Sequence, residues 1–203
     1  MVGRTRSRGP RRRAREPGVE RRRPARVRGR PRRQAQLSHL ERPPAFTLRR
    51  AEPTDAEQLA EVHVASWREA YTDLVAPEAA ATFDVAERRE LWTRALRTDP
   101  TPGMTTHVAE VDKSIVGFAT TGPPRSERVR DIELRGLYTL ARTHGTGLGG
   151  ALLDKALGDR PAQLWVLTDN ARAIAFYRKH GFAEDGTAGW FERWNVAEIR
   201  MVR

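Results

Sequence analysis

His144-Gly145-Thr146-Gly147-Leu148-Gly149-Gly150 packs four glycines into seven positions. How this stretch is read decides the fold. Gly145, Gly147 and Gly150 fall on G-x-G-x-x-G, and Asp169 follows about 20 residues on, where the ribose-binding acid of a dinucleotide site belongs. A nucleoside triphosphate loop needs G-x-x-x-x-G-K-[ST], but Gly150 is followed by Ala151-Leu152-Leu153, which excludes it. A Rossmann domain needs several βαβ units in one open parallel sheet, so the flanking chain has to decide.

Residues 129–139 read as a strand, residues 148–157 as a helix stopped by Gly158, and the apolar run 163–167 as the next strand, which makes one βαβ unit. Upstream, residues 105–111 and 115–121 are β-type runs joined by Asp112-Lys113-Ser114, which is a hairpin and not a crossover. Downstream, residues 170–180 form a helix with Gly181 at its C′ position, followed by strands around 182–183 and 190–201. Too little chain remains for two more crossovers, so the Rossmann reading fails. Earlier still, residues 46–50 read as the first strand. Thr54 with Glu57 makes a capping box before Leu59, Val62, Ala65 and Ser66, and Asp84 with Glu87 repeats the signal before Leu91, Ala95 and Leu96. The order β-α-α-β-β-β-α-β-α-β-β defines an α+β domain with a mixed sheet. In that setting the glycines turn a strand into a helix whose first N–H groups point outward at the positive dipole end, a place for an anion.

Charge divides the chain. Residues 1–43 carry sixteen arginines against Glu16, Glu20 and Glu41, or +13, so the whole-chain +11 leaves residues 44–203 at −2. The first segment is rich in proline and poor in large apolar residues, and it reads as a disordered tail. It is either a nucleic-acid-binding arm, since clustered arginines bind phosphate without sequence preference, or a dispensable extension. No apolar h-region follows the arginines as a secretory signal requires, and no apolar run approaches the ~18 residues of a membrane span. The absence of cysteine excludes disulfides, thiolate zinc sites and a cysteine nucleophile, and it fits a cytoplasmic protein. His63, His107 and His180 form no metal-ligand pattern, so no metal is expected.

Leu137-Tyr138-Thr139, then His144-Gly145-Thr146-Gly147-Leu148-Gly149, and later Asn170-Ala171-Arg172-Ala173-Ile174-Ala175-Phe176-Tyr177 ending in His180-Gly181-Phe182, resemble the GNAT superfamily of N-acetyltransferases over residues 45–203. The resemblance implies an acyl-CoA N-acyltransferase fold, with a mixed central sheet of about six to seven strands flanked by helices. Its pattern Q/R-x-x-G-x-G/A lies on His144, Gly147 and Gly149. It implies that the backbone of the loop from His144 to Gly149, through Gly145, Thr146 and Leu148, holds the pyrophosphate of acetyl-CoA. The second motif, N-x-x-A-x-x-F-Y-x-x-x-G-F, places Asn170 and Ala173 beside the cofactor. The backbone of Leu137, Tyr138 and Thr139 maps to the strand that binds the pantetheine arm and orients the thioester. His144 departs from the usual Arg or Gln, and Ala141 from a common proline. Arg142 is a candidate for a compensating charge.

Asn170, Ala173 and Tyr177 are spaced i, i+3 and i+7 and share one helical face. Tyr177, a phenol of ordinary pKa near 10, is the candidate acid for the departing thiolate, the role the motif position implies. Asn170 also caps its helix unaided. Glu133 is the candidate general base, acting through water, against the alternative of a strand charge paired with Arg135 or Arg130; Glu69 and Asp131 remain open. Trp67 and Tyr71, i and i+4, present aromatic surface as a candidate acceptor wall or as core. The expected activity is acetyl transfer from acetyl-CoA to a small-molecule or peptide amine by direct attack in a ternary complex, by a monomer or homodimer. The alternative is a non-catalytic acyl-CoA-binding or nucleic-acid-associated module.

Overall fold

The computed structural model describes residues 45–98 and 102–203. The arginine-rich segment 1–43, with the disorder and nucleic-acid contact expected of it, lies outside them. Seven strands form one sheet: β1 (Thr47–Arg50), β2 (Thr105–Val111), β3 (Ser114–Gly122), β4 (Glu133–Thr139), β5 (Gln163–Leu167), β6 (Ala183–Phe191) and β7 (Val196–Val202). Their spatial order is β1-β2-β3-β4-β5-β7-β6. Among the described residues five α-helices accompany them: α1 (Ala56–Tyr71), α2 (Pro77–Ala81), α3 (Val85–Thr98), α4 (Leu148–Leu157) and α5 (Ala171–Lys179). Every pairing is antiparallel except β4–β5, which α4 connects as the expected βαβ crossover. The sheet is therefore mixed, as the order of elements requires.

β3 is buried from Ile115 to Gly122, because α1 packs on β3 and β4 while α4 packs on β2, β3 and β4. Leu59, Ala60, Val108, Phe118, Leu152, Leu164 and Met201 are almost completely buried in the central cluster. β6 ends the sheet, and Trp190 on it is exposed. No described helix is long and apolar enough to cross a membrane.

The feature that positions the site is a fork. β4 and β5 pair only at Glu133↔Gln163 and Leu134↔Leu164. Beyond those pairs β4 continues along β3 as far as Thr139↔Gly117, while β5 continues along β7 to Leu167↔Glu198. A register shift opposite Thr120 and Thr121 leaves Arg135 as an extra residue in β4, a bulge of the kind that bends a strand away from its neighbour. From Arg135 on, the β4 edge facing β5 has no strand against it.

Several sequence expectations shift. The strand expected from Val129 begins at Glu133, because the Val129 and Arg130 amides donate to Gln163 Oε1 at 2.9 and 3.0 Å instead of to a neighbouring strand. The capping box lies earlier than Thr54 and Glu57: the Glu52 amide donates to Asp55 Oδ2 at 2.7 Å, and Asp55 is gripped by both terminal nitrogens of Arg49 at 2.7 and 2.8 Å. Asp84 does cap α3, accepting from the Glu87 amide at 2.9 Å. Trp190 belongs to β6 and not to the last strand, because the chain turns at residues 192–195, with Asn195 at φ 55°. The short α2 carried no clear periodicity.

Candidate active site

Between the forked strands lies a cleft of about 1360 Å³. Its walls include Leu137, Tyr138 and Thr139 from β4, Gly145, Gly147 and Gly149 from the loop, and Asn170, Ala173 and Tyr177 from α5. One cavity thus gathers the backbone edge, the loop and the i, i+3, i+7 face of α5. Glu133 and Tyr71 line it as well. Thr146 and Leu148 are not among its wall residues: Thr146 Oγ1 donates to the Thr143 carbonyl at 2.7 Å, and the Leu148 side chain is in the core.

The four glycines divide by task. Gly145 and Gly147 have φ of 79° and 88°, and a Cβ at either would meet nothing within 4 Å. They are required by backbone conformation, not by crowding. At Gly150 crowding matters, since an added Cβ would come 3.0 Å from His180 Nε2, whereas at Gly149 it would make an ordinary contact with the Phe176 ring at 3.4 Å. Helix hydrogen bonding begins with the Ala151 amide donating to Gly147 O at 3.0 Å, so the amides before it lack i−4 acceptors within the helix, a place that suits an anion, and the Leu148 amide donates to Thr146 Oγ1 at 3.4 Å. His144 lies against α5, with Arg172 Nη1 2.7 Å from Nδ1 and 2.9 Å from Nε2. The cation beside His144 is Arg172, not Arg142.

Asn170 Oδ1 caps α5 by accepting the Ala173 amide at 3.1 Å, and Asn170 and Tyr71 both line the cleft. The Tyr71 and Tyr138 rings meet edge to face with centroids 6.3 Å apart. Burial pushes the Tyr71 phenol up, and the polar side chains of Tyr138 and Asn170 together with the charge of Arg172 oppose the rise. Tyr177 is buried, and its phenol is pushed up first by burial and then by Tyr71. Three tyrosines and an asparagine therefore form a polar island at the meeting of α1, β4 and α5.

Trp67 is corrected to core. It is fully buried and stacks on Phe83 with ring centroids 4.5 Å apart and planes 15° from parallel. Its indole faces the second hydrophobic cluster because α1 turns Tyr71, not Trp67, toward the cleft. Glu133 is 1 % exposed, unlike an ordinary strand charge. Its Oε2 accepts from the Arg125 amide and from Gln163 Nε2, both at 3.2 Å, and its Oε1 lies 3.5 Å from Arg125 Nε and 3.3 Å from Arg135 Nε. Arg130 instead donates to the Arg203 and Val129 carbonyls. Glu69 accepts the Ala141 amide at 2.7 Å, and Asp131 is exposed beside Arg128. Among the described residues, no group of three or more acids and histidines comes together to hold a metal.

Sequence reasoning weighed His63 only as a metal ligand and passed over Arg88; both line the cleft. His63 sits among Phe83, Phe118, Trp92 and Tyr138, with ring centroids 4.9–5.8 Å away. Burial and then the charge of Arg88 push its imidazole down to about 3. The signal for Arg88 was present: it lies three residues after Val85 and four before Trp92, on the apolar stripe of α3.

A family model described as "Acetyltransferase (GNAT) domain" matches residues 102–184. The chain is 38% identical over 140 residues to the uncharacterized N-acetyltransferase Rv2669 of Mycobacterium tuberculosis, covering 66% of this chain and 86% of that one. It is 32% identical over 167 residues to the uncharacterized N-acetyltransferase YuaI of Bacillus subtilis, covering 76% and 88%. The fold is similar to the crystal structure of the PaiA N-acetyltransferase of Thermoplasma acidophilum in complex with coenzyme A, with a TM-score of 0.59 at 21% identity, covering 77% of this chain and 98% of that one. This chain belongs to the GNAT family of N-acetyltransferases.

Proposed function

We propose that the protein transfers the acetyl group of acetyl-CoA to an amine by direct attack in a ternary complex. The observation that carries this reading is the fork, which opens the edge of Leu137, Tyr138 and Thr139 onto the cavity that also holds the nest at Gly147 and the Tyr177 side chain. The nest fits a pyrophosphate, since Gly145 and Gly147 hold positive φ with open space beside them and first-turn amides favour anions. Arg172 and Lys179 line the same end and add positive charge. The β4 edge offers amides and carbonyls to an extended amide arm. The structural relative solved with coenzyme A supports the choice of ligand.

Acetyl-CoA supplies a thioester, whose C–S bond breaks as the amine nitrogen bonds the carbonyl carbon; the nitrogen loses a proton and the sulfur gains one. Tyr177, held protonated by burial, donates toward the sulfur. Asn170 caps that end of α5. Glu133 takes the role of base through water, because it begins β4 four residues before Leu137, about 13 Å along a strand at ~3.3 Å per residue. Neither a direct contact nor one water spans that distance, so the proton would pass along a chain of waters. Arg125 and Arg135 orient its carboxylate.

The test is thiol release with a panel of amines, beside calorimetric binding of acetyl-CoA. Transfer to an amine by the wild type, lost together with acetyl-CoA binding in Gly147→Glu, supports the reading. Intact binding by Gly147→Glu sinks the nest assignment. Binding without thiol release over the whole panel would favour the non-catalytic module.

A further inference from the structure

Arg88 is 6 % exposed on α3, yet its guanidinium is poorly neutralised. Its carboxylate partner among the described residues is Glu87, 2.8 Å from Nη2, a side chain that is 43% exposed and is also held by Arg193 at 2.8 and 3.0 Å. One solvated carboxylate thus serves two guanidiniums, and screening weakens what it does for the buried one. Arg88 Nε is buried without a hydrogen-bond partner among the described residues, and so is His63 Nδ1. Around them are Phe83, under the guanidinium at 4.6 Å, and the rings of Trp92 and Phe118. A buried, under-paired cation on an apolar wall is costly unless something else completes it.

The rest of the cleft argues the same way. Among the described residues its wall carries two acids, Glu133 and Glu198, and both are already engaged: Arg125 Nη2 lies 2.7 Å from Glu198, and Arg125 and Arg135 flank Glu133. No free carboxylate is left on that wall to attract a polycation. His63 and Tyr138, 4.9 Å apart by ring centroids, connect the Arg88 corner to the strand edge where acetyl transfer is placed.

We propose that the acceptor is an amine that also carries a carboxylate, which the Arg88 guanidinium and the His63 imidazole receive at the α1–α3 wall of the cleft. A guanidinium matches a carboxylate in plane and spacing. A phosphate dianion would call for a second unpaired cation beside Arg88, and Arg125 and Arg135 are spent on Glu133 and Glu198. The proposal rests on the acetyltransferase reading and names the substrate class for that site.

The experiment compares matched ligands: α- and ω-amino acids, each with its carboxamide and its decarboxylated amine, and 2-aminoethylphosphonate beside β-alanine. Binding is read by calorimetry without acetyl-CoA, and kcat/KM by thiol release. The expected result is a preference of about tenfold or more for the carboxylate form of the best acceptor over its carboxamide, as charge-assisted pairing in a desolvated site gives. Arg88→Gln should bring the two within about twofold and leave the KM for acetyl-CoA unchanged. Leu91→Glu, one helical turn on from Arg88 and also on the cleft wall, keeps the arginine but supplies its anion, and should abolish the preference even if Arg88→Gln fails to fold. Equal or better binding of carboxamide, diamine or phosphonate by the wild type overturns the proposal, as does a preference that survives Leu91→Glu. Absence of acetyl-CoA binding would instead sink the acetyltransferase reading, while the calorimetric comparison still scores the carboxylate.

Discussion

Gln163 and Glu133 face each other as one of the two registered pairs between β4 and β5, and Gln163 Nε2 donates to Glu133 Oε2 at 3.2 Å. Gln163 is fully buried; the same Nε2 also donates to the Glu127 carbonyl, and its Oε1 accepts from the amides of Val129 and Arg130. This side chain therefore closes the apex of the fork and the loop that leads into β4. Replacing it with leucine leaves several buried polar groups unpaired. Gln163→Leu should cost about 2–4 kcal/mol of stability, at ~1–3 kcal/mol per orphaned group with partial relief by water. Denaturant unfolding checks this, and a loss below about 1 kcal/mol would show that the loop finds other partners.

Two glycine substitutions should separate conformation from packing. Gly147→Ala forces a side chain into φ 88° and should weaken acetyl-CoA binding more than it lowers the melting temperature, because the space beside it is open. Gly150→Ala meets His180 at 3.0 Å and should do the reverse, at about 1–3 kcal/mol for overpacking. Calorimetric binding beside thermal unfolding reads both.

Tyr177→Phe keeps the ring contacts with Phe176 and Phe182 and removes the donor. We expect kcat to fall about 10²-fold with the KM for acetyl-CoA within about twofold, the pattern of a group acting mainly in the transition state. Because burial raises the phenol above its ordinary value near 10, the wild-type rate should show no tyrosine-driven alkaline fall below that pH. An unchanged kcat would leave Tyr177 a packing residue.

His63 links stability to acid. Its folded pKa of about 3 lies below the ordinary 6.5, so at intermediate pH the unfolded chain binds one more proton than the folded one. Stability from this group is complete above about pH 6.5, declines as the pH falls, and is lost once the pH passes below about 3. His63→Phe, in a pocket already lined by rings, should flatten that part of the acid dependence. Midpoints measured from pH 4 to 7 in both proteins decide it, and parallel curves would refute the assignment.

The order of elements and the two motifs were legible in the chain because they rest on local rules. Positive-φ turns need Gly147, a helix start needs Asn170, and one helical face must carry Asn170, Ala173 and Tyr177 together. The same rules separated a single βαβ unit from a Rossmann sheet, and the structure retains that order with α2 added. Boundaries moved where a distant side chain replaced the ladder: Gln163 delays β4 by four residues, and the Arg49 fork draws the capping box back to Asp55.

What local periodicity cannot contain is which partner a side chain meets across the fold. Trp67 and Tyr71 share a helical repeat, yet packing sends one into the core and the other to the cleft. Glu133 has the sequence of an exposed strand charge, and only the neighbouring Arg125, Arg135 and Gln163 make it a buried one. Arg88 breaks the apolar stripe of α3 by one residue, and its under-paired charge becomes visible only beside His63, Glu87 and the emptied edge of β4. Spacing along a helix or strand sets direction within a turn or two, whereas burial and charge balance are sums over segments far apart in the chain, and those sums exist only once the sheet has brought the segments together.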